Sequence, residues 1–298
     1  MADMLAKENY KPLLAIQDKQ LNIDSLHQYH LAISLGDSTL QICCIDKITH
    51  RCLLLEEYGL KGVRKSDYLG TLEELYQQHA LLIAGFWSAV TICIKNQKYT
   101  LVPTQLLQED TIANYVKVAC PVDTATEVIK YFTHQPLEAA VSFAIERSIL
   151  DWFQKTYSRA HLQVIHQASS FIEGVRIYIK MNKLGESPKV FVLAEPDSVH
   201  ITVMHRERML YYNRFIYQDS NEFLNYILIV IQALNLNPNW HEVIFWGIIT
   251  KDSLAYRKAC NYIRNITLGK RPPHLRFRYF FDKIATPAYF DIFNAHLC

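Results

Sequence analysis

The sequence predicts an α/β protein with mixed sheets, built as two lobes on one repeated plan. Three observations predict it. The chain has 298 residues, more than one compact core usually absorbs, so two domains or a bilobal unit are expected. A three-strand meander followed by a helix is readable twice, about 160 residues apart, and repetition at such a distance marks a duplicated architecture. The first turn of each meander also carries the same dipeptide, Asp37-Ser38 and Asp197-Ser198. The second strands of the two meanders match only after a one-residue offset, so the plan repeats and the sequence does not.

The elements follow in order. Residues 1 to about 27 are polar and are expected to form an arm or a short helix. "HLAISL", "STLQICCID" and "HRCLLLEEYGL" alternate as antiparallel strands around short turns at Gly36-Asp37 and Lys47 to Thr49. "SDYLGTLEELYQQHALL" is helical, with Ser66 or Asp67 as cap and Leu69, Leu72 and Leu75 at helical spacing. "WSAVTICIK" and "KYTLVP" are expected to pair around Asn96-Gln97, and "TQLLQEDTIANYVKVA" to be a helix. "TEVIKYFTH" and "LEAAVSFAI" alternate as strands. A helix "ERSILDWFQKTYSRA", a strand "HLQVIH" and a helix "SSFIEGVRIYIKMNKL" complete the first lobe. "LGESPK" is the linker, with Gly, Ser and Pro together. The plan then restarts with "VFVLAEPDSVHITVMHRERMLYYNRFIY", a capped helix "DSNEFLNYILIVIQAL", a strand "HEVIFWGI" and a helix "TKDSLAYRKACNYIRN". "HLRFRYFFDKI" is expected to add a last strand. The expected domains are an arm at 1–27, a first lobe at 28–184 with inserted strands at about 96–145, and a second lobe at 185–298.

Composition narrows the function classes. Half of the residues are apolar, a fifth are charged, and the net charge is +2. That balance gives no reason to expect nucleic acid or an anionic membrane as partner. No run approaches the roughly 20 apolar residues that a membrane span needs; the nearest, Phe223 to Leu234, contains Asn225 and Gln232. The first residues are unlike a secretory signal, so a cytoplasmic location is expected. The seven cysteines show no C-x-x-C pair and no zinc spacing. Cys43 and Cys44 are neighbours in a strand, so they point to opposite faces, and free core thiols are expected. Only nine glycines are present, few for the glycine-rich loops that let backbone approach phosphate.

The common catalytic signatures are absent. His161 and His166, and again His200 and His205, stand five apart and so on opposite strand faces, which argues against a metal pair. Glu56-Glu57 and Glu73-Glu74 show no acid–base pairing. Arg257, Lys258, Arg264, Lys270, Arg271, Arg276 and Arg278 gather with Tyr256, Tyr262, Phe277 and Tyr279 in a basic, aromatic C-terminal stretch. That stretch supplies a weak nucleic-acid-binding reading. Tyr211, Tyr212 and Tyr217 would mark a protein interface if exposed.

The duplicated unit of three antiparallel strands, helix, strand and helix resembles the ribonuclease-H-like half of the actin, sugar-kinase and heat-shock-chaperone superfamily. The second meander, "FVLAEPDSVHITVMHRERMLYYNRF", is similar to the "xVDIGxxxTTLTVxxxGxxxxxR" pattern of the PilM and FtsA branch. Together with "LVPTQLL" and "VIHQASSFIEGV", nearly all of residues 28–298 also resembles an uncharacterised Bacteroidetes family with an actin-like ATPase fold. The resemblance implies that fold and is nearly silent on activity.

What it implies about a nucleotide site is read position by position. The superfamily's first-strand aspartate, which acts through magnesium and water on the phosphates, matches Ser34. The turn keeps Gly36, Asp37, Ser38 and Thr39. In the second hairpin the acidic position matches Ala194, and the phosphate-facing glycine matches Pro196, which has no N–H. The adenine-side loop matches Trp246-Gly247-Ile248. Glu195, Asp197 and Ser198 lie beside the expected positions. Each lost charge-assisted hydrogen bond forfeits roughly 1.5–3 kcal/mol. The expectation is therefore a non-catalytic, cytoplasmic, actin-like protein that binds another protein or peptide, such as the tail of a membrane protein, and needs no cofactor. The alternative is a divergent nucleotide switch or kinase, with ATP and magnesium at Gly36, Asp37, Ser38, Thr39, Glu195, Asp197, Ser198 and Gly247.

Overall fold

A computed structural model describes residues 11–60, 67–108, 111–184 and 186–298. The first sheet grows from the meander β2 (Tyr29–Gly36), β3 (Thr39–Asp46) and β4 (Arg51–Gly59). On one side β4 pairs antiparallel with β1 (Leu14–Gln17); on the other, β2 pairs parallel with β5 (Ala89–Lys95), which pairs parallel with β9 (His161–His166). The second sheet repeats this plan. β10 (Lys189–Ala194), β11 (Ser198–His205) and β12 (Arg208–Ile216) form the meander, and β13 (Val243–Gly247) and β14 (Ile266–Leu268) follow in parallel. The expected duplication is present. A three-stranded sheet of β6 (Tyr99–Pro103), β8 (Ala139–Glu146) and β7 (Glu127–His134) is inserted in the first lobe.

Helices cover both sheets because parallel strands leave two apolar faces. In the first lobe α1 (Tyr68–Gln78), α2 (Ala80–Ile83) and α4 (Arg147–Thr156) bury Leu72, Leu75, Leu82 and Phe153 against Leu31, Ile33 and Ile92. In the second, α6 (Ser220–Ala233) and α7 (Leu254–Ala259) cover Val192, Ile201 and Phe245. Asp219 caps α6 through Asn221 and Glu222 N–H, and Ser253 caps α7. α5 (Gln167–Met181) lies between the lobes with eleven buried residues, and Phe171 and Val175 touch Phe191, Ile244 and Trp246. α8 (Phe290–Asn294) packs beside it; Leu275, Phe281, Ile292 and Phe293 return to the first sheet and bury Ala32, Cys43 and Ile165. Cys43 and Cys44 face different cores, as the strand period requires. All seven cysteines are free.

Five expectations are corrected. Part of the amino-terminal arm is a strand, β1, whose Ile16 is buried, because the free edge of β4 accepts it. That run is too short for its period to stand out. β5 and β6 do not pair with one another; Asn96-Gln97 carries the chain from the first sheet into the inserted one. The single helix expected over 104–119 is a 3-10 turn, Thr104–Leu106, and a separate α3 (Ile112–Ala119), with residues 109–110 outside the described set. The helix expected over 250–265 is limited to α7, and Ile266–Leu268 that follows it is strand β14. "HLRFRYFFDKI" makes only one bridge, Arg276 to Arg51, and then a 3-10 turn over Tyr279–Lys283. Asp67 takes the N-cap position of α1, while Ser66 and Gly185 of the linker lie outside the described residues.

Candidate functional site

Each meander begins with a hairpin, and equivalent hairpins in the two lobes face one another. Between them is a cleft of about 320 Å³. Gly36, Asp37, Ser38 and Thr39 line it from the first hairpin, Glu195, Pro196 and Asp197 from the second, and Gly247 from the end of β13. Seven of the eight residues singled out from the sequence therefore meet in one cleft. The eighth, Ser198, is buried beneath it, and its Oγ donates to Glu195 Oε2 at 3.2 Å.

The floor of the cleft is a charge network. Lys95, the last residue of β5, is 13% exposed, and its Nζ lies 2.7 Å from Asp291 Oδ2 and 3.2 Å from Glu195 Oε1. Gln167, at the first turn of α5, donates through Nε2 to both carboxylates, at 2.7 Å to Glu195 and 2.8 Å to Asp291. His200 Nε2 lies 3.2 Å from Glu195 Oε2, and its Nδ1 lies 2.7 Å from the Tyr212 hydroxyl. A carboxylate only accepts, so His200 Nε2 carries the proton and Tyr212 donates to Nδ1. Burial holds the His200 pKa down, consistent with this neutral tautomer, although Glu195 pulls the other way. Burial opposes ionisation of Glu195; Lys95 first, then His200 and Gln167, outweigh it and hold the carboxyl well below its ordinary value. The two carboxylates raise the Lys95 pKa against burial. The network joins β5 and α5 of the first lobe to β10–β11 and α8, so both lobes and the C-terminal segment contribute.

Little of this arrangement suits a polyphosphate. The cation is already held by two carboxylates, and five acids (Asp37, Glu57, Glu195, Asp197, Asp291) line the cleft against Lys95 and Arg214. Several backbone donors are spent. Glu195 N–H donates to Ser198 O, Gly247 N–H to Pro287 O and Ile248 N–H to Ala194 O. Pro196 has none. Gly247 is required by its geometry, since φ is +92° and a Cβ there would lie 1.9 Å from the Ala194 carbonyl oxygen. Trp246 does not flank the cleft. It is fully buried, stacked on Phe290 at 4.1 Å, and its Nε1 donates to Lys270 O. Ser34, at the position of the superfamily's acid, is buried between Gln41 and Cys93 in the sheet register.

A second cavity of about 300 Å³ adjoins the cleft and shares Gly36, Asp37 and Lys95 with it. Its walls are largely apolar, with Leu35, Tyr68, Ile94, Ile145 and Ile149, and Lys98 and Glu127 pair at 2.7 Å on its rim.

The other sequence candidates disperse. His166 is a buried cap: its Nδ1 accepts from Ala168 N–H and its Nε2 donates to Asn96 O, while His161 is exposed. Among the described residues no group of three His, Cys, Asp or Glu side chains could ligate one metal ion. In the basic C-terminal stretch Arg271 pairs with Asp282, Arg278 with Asp18, and Lys258 donates to Asn221. Tyr211, Tyr212 and Tyr217 are half-buried rather than an open cluster.

Lys95, Gln167, His200 and Asp291 were not found as site residues from the sequence. Two signals were present. Lys95 ends an apolar strand, and Asp291 is a lone acid inside "YFDIFNA"; a charge at such a position needs a buried partner.

A family model described as a protein of unknown function (DUF3822) matches residues 18–266. No curated protein sequence matches the chain. Among solved structures, a Bacteroides thetaiotaomicron protein described as having an actin-like ATPase fold and unknown function is similar at 19% identity. Its TM-score is 0.74, over 86% of this chain and 96% of that one. The PilM–PilN type IV pilus biogenesis complex is similar at 10% identity and a TM-score of 0.59, over 90% of this chain and 98% of that one. These likenesses establish the actin-like ATPase fold. Among the described residues no helix is long and apolar enough to cross a membrane.

Proposed function

The chain belongs to the DUF3822 family, and from that premise and the chemistry of its cleft we propose that it is a non-catalytic actin-like scaffold that binds another protein. The observation that carries this reading is Lys95, locked between Glu195 and Asp291 where a nucleotide's phosphates would need a cation. Breaking that triad to free the ammonium would leave the buried Asp291 carboxylate and the half-buried Glu195 uncompensated, at a cost of up to about 3–5 kcal/mol. The apolar cavity beside the cleft offers a seat for an extended peptide. The PilM neighbour was solved in a complex with PilN, which supports a protein or peptide partner here, such as the cytoplasmic tail of a membrane protein. In this reading the protein works in the cytoplasm and needs no nucleotide.

Affinity purification with crosslinking tests it. The reading expects a stoichiometric protein partner whose crosslinks fall around the cavity. No partner, together with clear binding of a fluorescent ATP analogue, would contradict it. One observation favours a second reading, a divergent nucleotide switch. Arg214 lines the cleft with no carboxylate at ion-pair distance among the described residues, and an anion would seek it. Magnesium-dependent binding of ATP, lost in Arg214→Ala, would support that switch.

A further inference from the structure

We propose that the inter-lobe cleft is a site for a primary ammonium group, the lysine side chain of a partner peptide. It would be held between Asp37, Asp197 and the amide oxygen of Gln41. The inference deepens the protein-binding reading and rests on it. Three features of the cleft lead there.

The first is the charge that duplication has placed in it. The matching Asp-Ser turns of the two lobes bring Asp37 and Asp197 to the lining of one cavity. Both are exposed, and among the described residues neither has a cation within ion-pair distance. Two carboxylates lining one cavity add to its negative potential, which favours a cation there.

The second is Gln41, which lines the same cavity and is only 8% exposed. In the sheet register it stands beside Glu57, and its Nε2 lies 3.5 Å from Glu57 Oε1. A carboxylate cannot donate, so the amide must turn its NH₂ toward Glu57, and the Glu57 Oε2 is already taken by the Tyr289 hydroxyl. The Gln41 carbonyl oxygen is left buried without a donor. A buried acceptor without a partner is destabilising, and a ligand N–H would satisfy it.

The third is that the site lacks the geometry for a directly ligated metal ion among the described residues, whereas it already shows how an ammonium is held. Lys95 sits between Glu195 and Asp291 one step deeper in the same cleft. An ammonium carries three donors that can point in different directions, matching acceptors that come from two lobes and the floor; a planar guanidinium does not. The adjoining apolar cavity shares Asp37 with the cleft, so a peptide seated there can send one lysine into it. Bridging Asp37 to Asp197 would also draw the lobes together.

The test uses the full chain and three probes: an acetylated, amidated Gly-Lys-Gly peptide, its norleucine counterpart, and magnesium chloride alone. Backbone amide resonances are followed by NMR. The lysine peptide is expected to shift residues 36–41, 195, 197 and 198, and the other two probes are not. In the double variant Asp37→Asn, Asp197→Asn the lysine peptide should lose about tenfold or more in affinity. Both side chains are exposed and, among the described residues, make no hydrogen bond, so the variant is expected to unfold at or above the wild-type midpoint. Equal shifts from norleucine or magnesium, no shift at the cleft, or undiminished binding to the variant would overturn the proposal. A protein partner captured equally by wild type and variant would overturn the ammonium site and leave the scaffold reading standing. A lysine response in the cleft without any protein partner would do the reverse.

Discussion

At the residue scale the site turns on Lys95. Its ammonium is the counter-charge for the buried Asp291 and the half-buried Glu195, and Gln167, at the first turn of α5, lies against both of them, where the helix dipole favours anions. Lys95→Met should destabilise the protein by about 3–5 kcal/mol, because it strands Glu195 and Asp291 without a cation. Adding Glu195→Gln and Asp291→Asn to that variant should recover much of the loss. Urea unfolding of the three chains measures both effects. Recovery by the triple variant separates lost charge pairing from a simple packing defect. A nucleotide-binding role for Lys95 predicts a different pattern, in which Lys95→Met changes ATP affinity and leaves stability nearly untouched.

At the element scale the site depends on how closely α8 approaches α5. Gly174 sits at the contact. A Cβ there would lie 2.6 Å from the Asn294 side chain and 2.9 Å from Phe290. Gly174→Val should push α8 away and cost about 1–3 kcal/mol by overpacking. Because Asp291 belongs to α8, the same change should also loosen the charge network, visible as faster hydrogen exchange in both α8 and the Glu195 hairpin. Loss of protection confined to α5 would contradict this coupling. The meanders, α5 and α6 were legible in the sequence because their periods are long and their caps explicit, as with Asp219. β1, α8 and the break between Thr104–Leu106 and α3 were not. Each is only three to eight residues long, too short for a period, and each is fixed by a tertiary surface that accepts it. The hairpin residues of the candidate site were legible because the repeat aligned them. The floor was not, since Lys95, Gln167, His200 and Asp291 are scattered along the chain and meet only when two sheets and the C-terminal segment pack.

At the scale of the whole molecule, buried histidines set the response to acid. Burial, the first cause in each case, lowers the pKa of His30 and His274 to about 4 and of His166 and His296 to about 3. His30, His274 and His296 form one cluster, with rings 5.3 and 6.0 Å apart, that ties the C-terminal segment to β2. The unfolded chain takes up these protons near pH 6.5 and the folded protein refuses them. Stability from this source is therefore complete above about pH 6.5. It falls as the pH drops toward the folded values, by about 1.4 kcal/mol per unit for each group. Urea midpoints should drop steeply between pH 7 and pH 5, and His274→Phe with His296→Phe should flatten the slope. A midpoint independent of pH over that range would contradict the burial of these rings as neutral groups.

Partner binding without nucleotide is the reading proposed for this actin-like fold. It is tested most directly by thermal unfolding of the purified chain with and without millimolar ATP or ADP and magnesium, since a ligand that binds only the folded state must raise the midpoint by mass action. One cooperative transition at an unchanged midpoint is expected in every condition. A reproducible, magnesium-dependent rise, abolished by Arg214→Ala, would contradict it and place a nucleotide in the cleft.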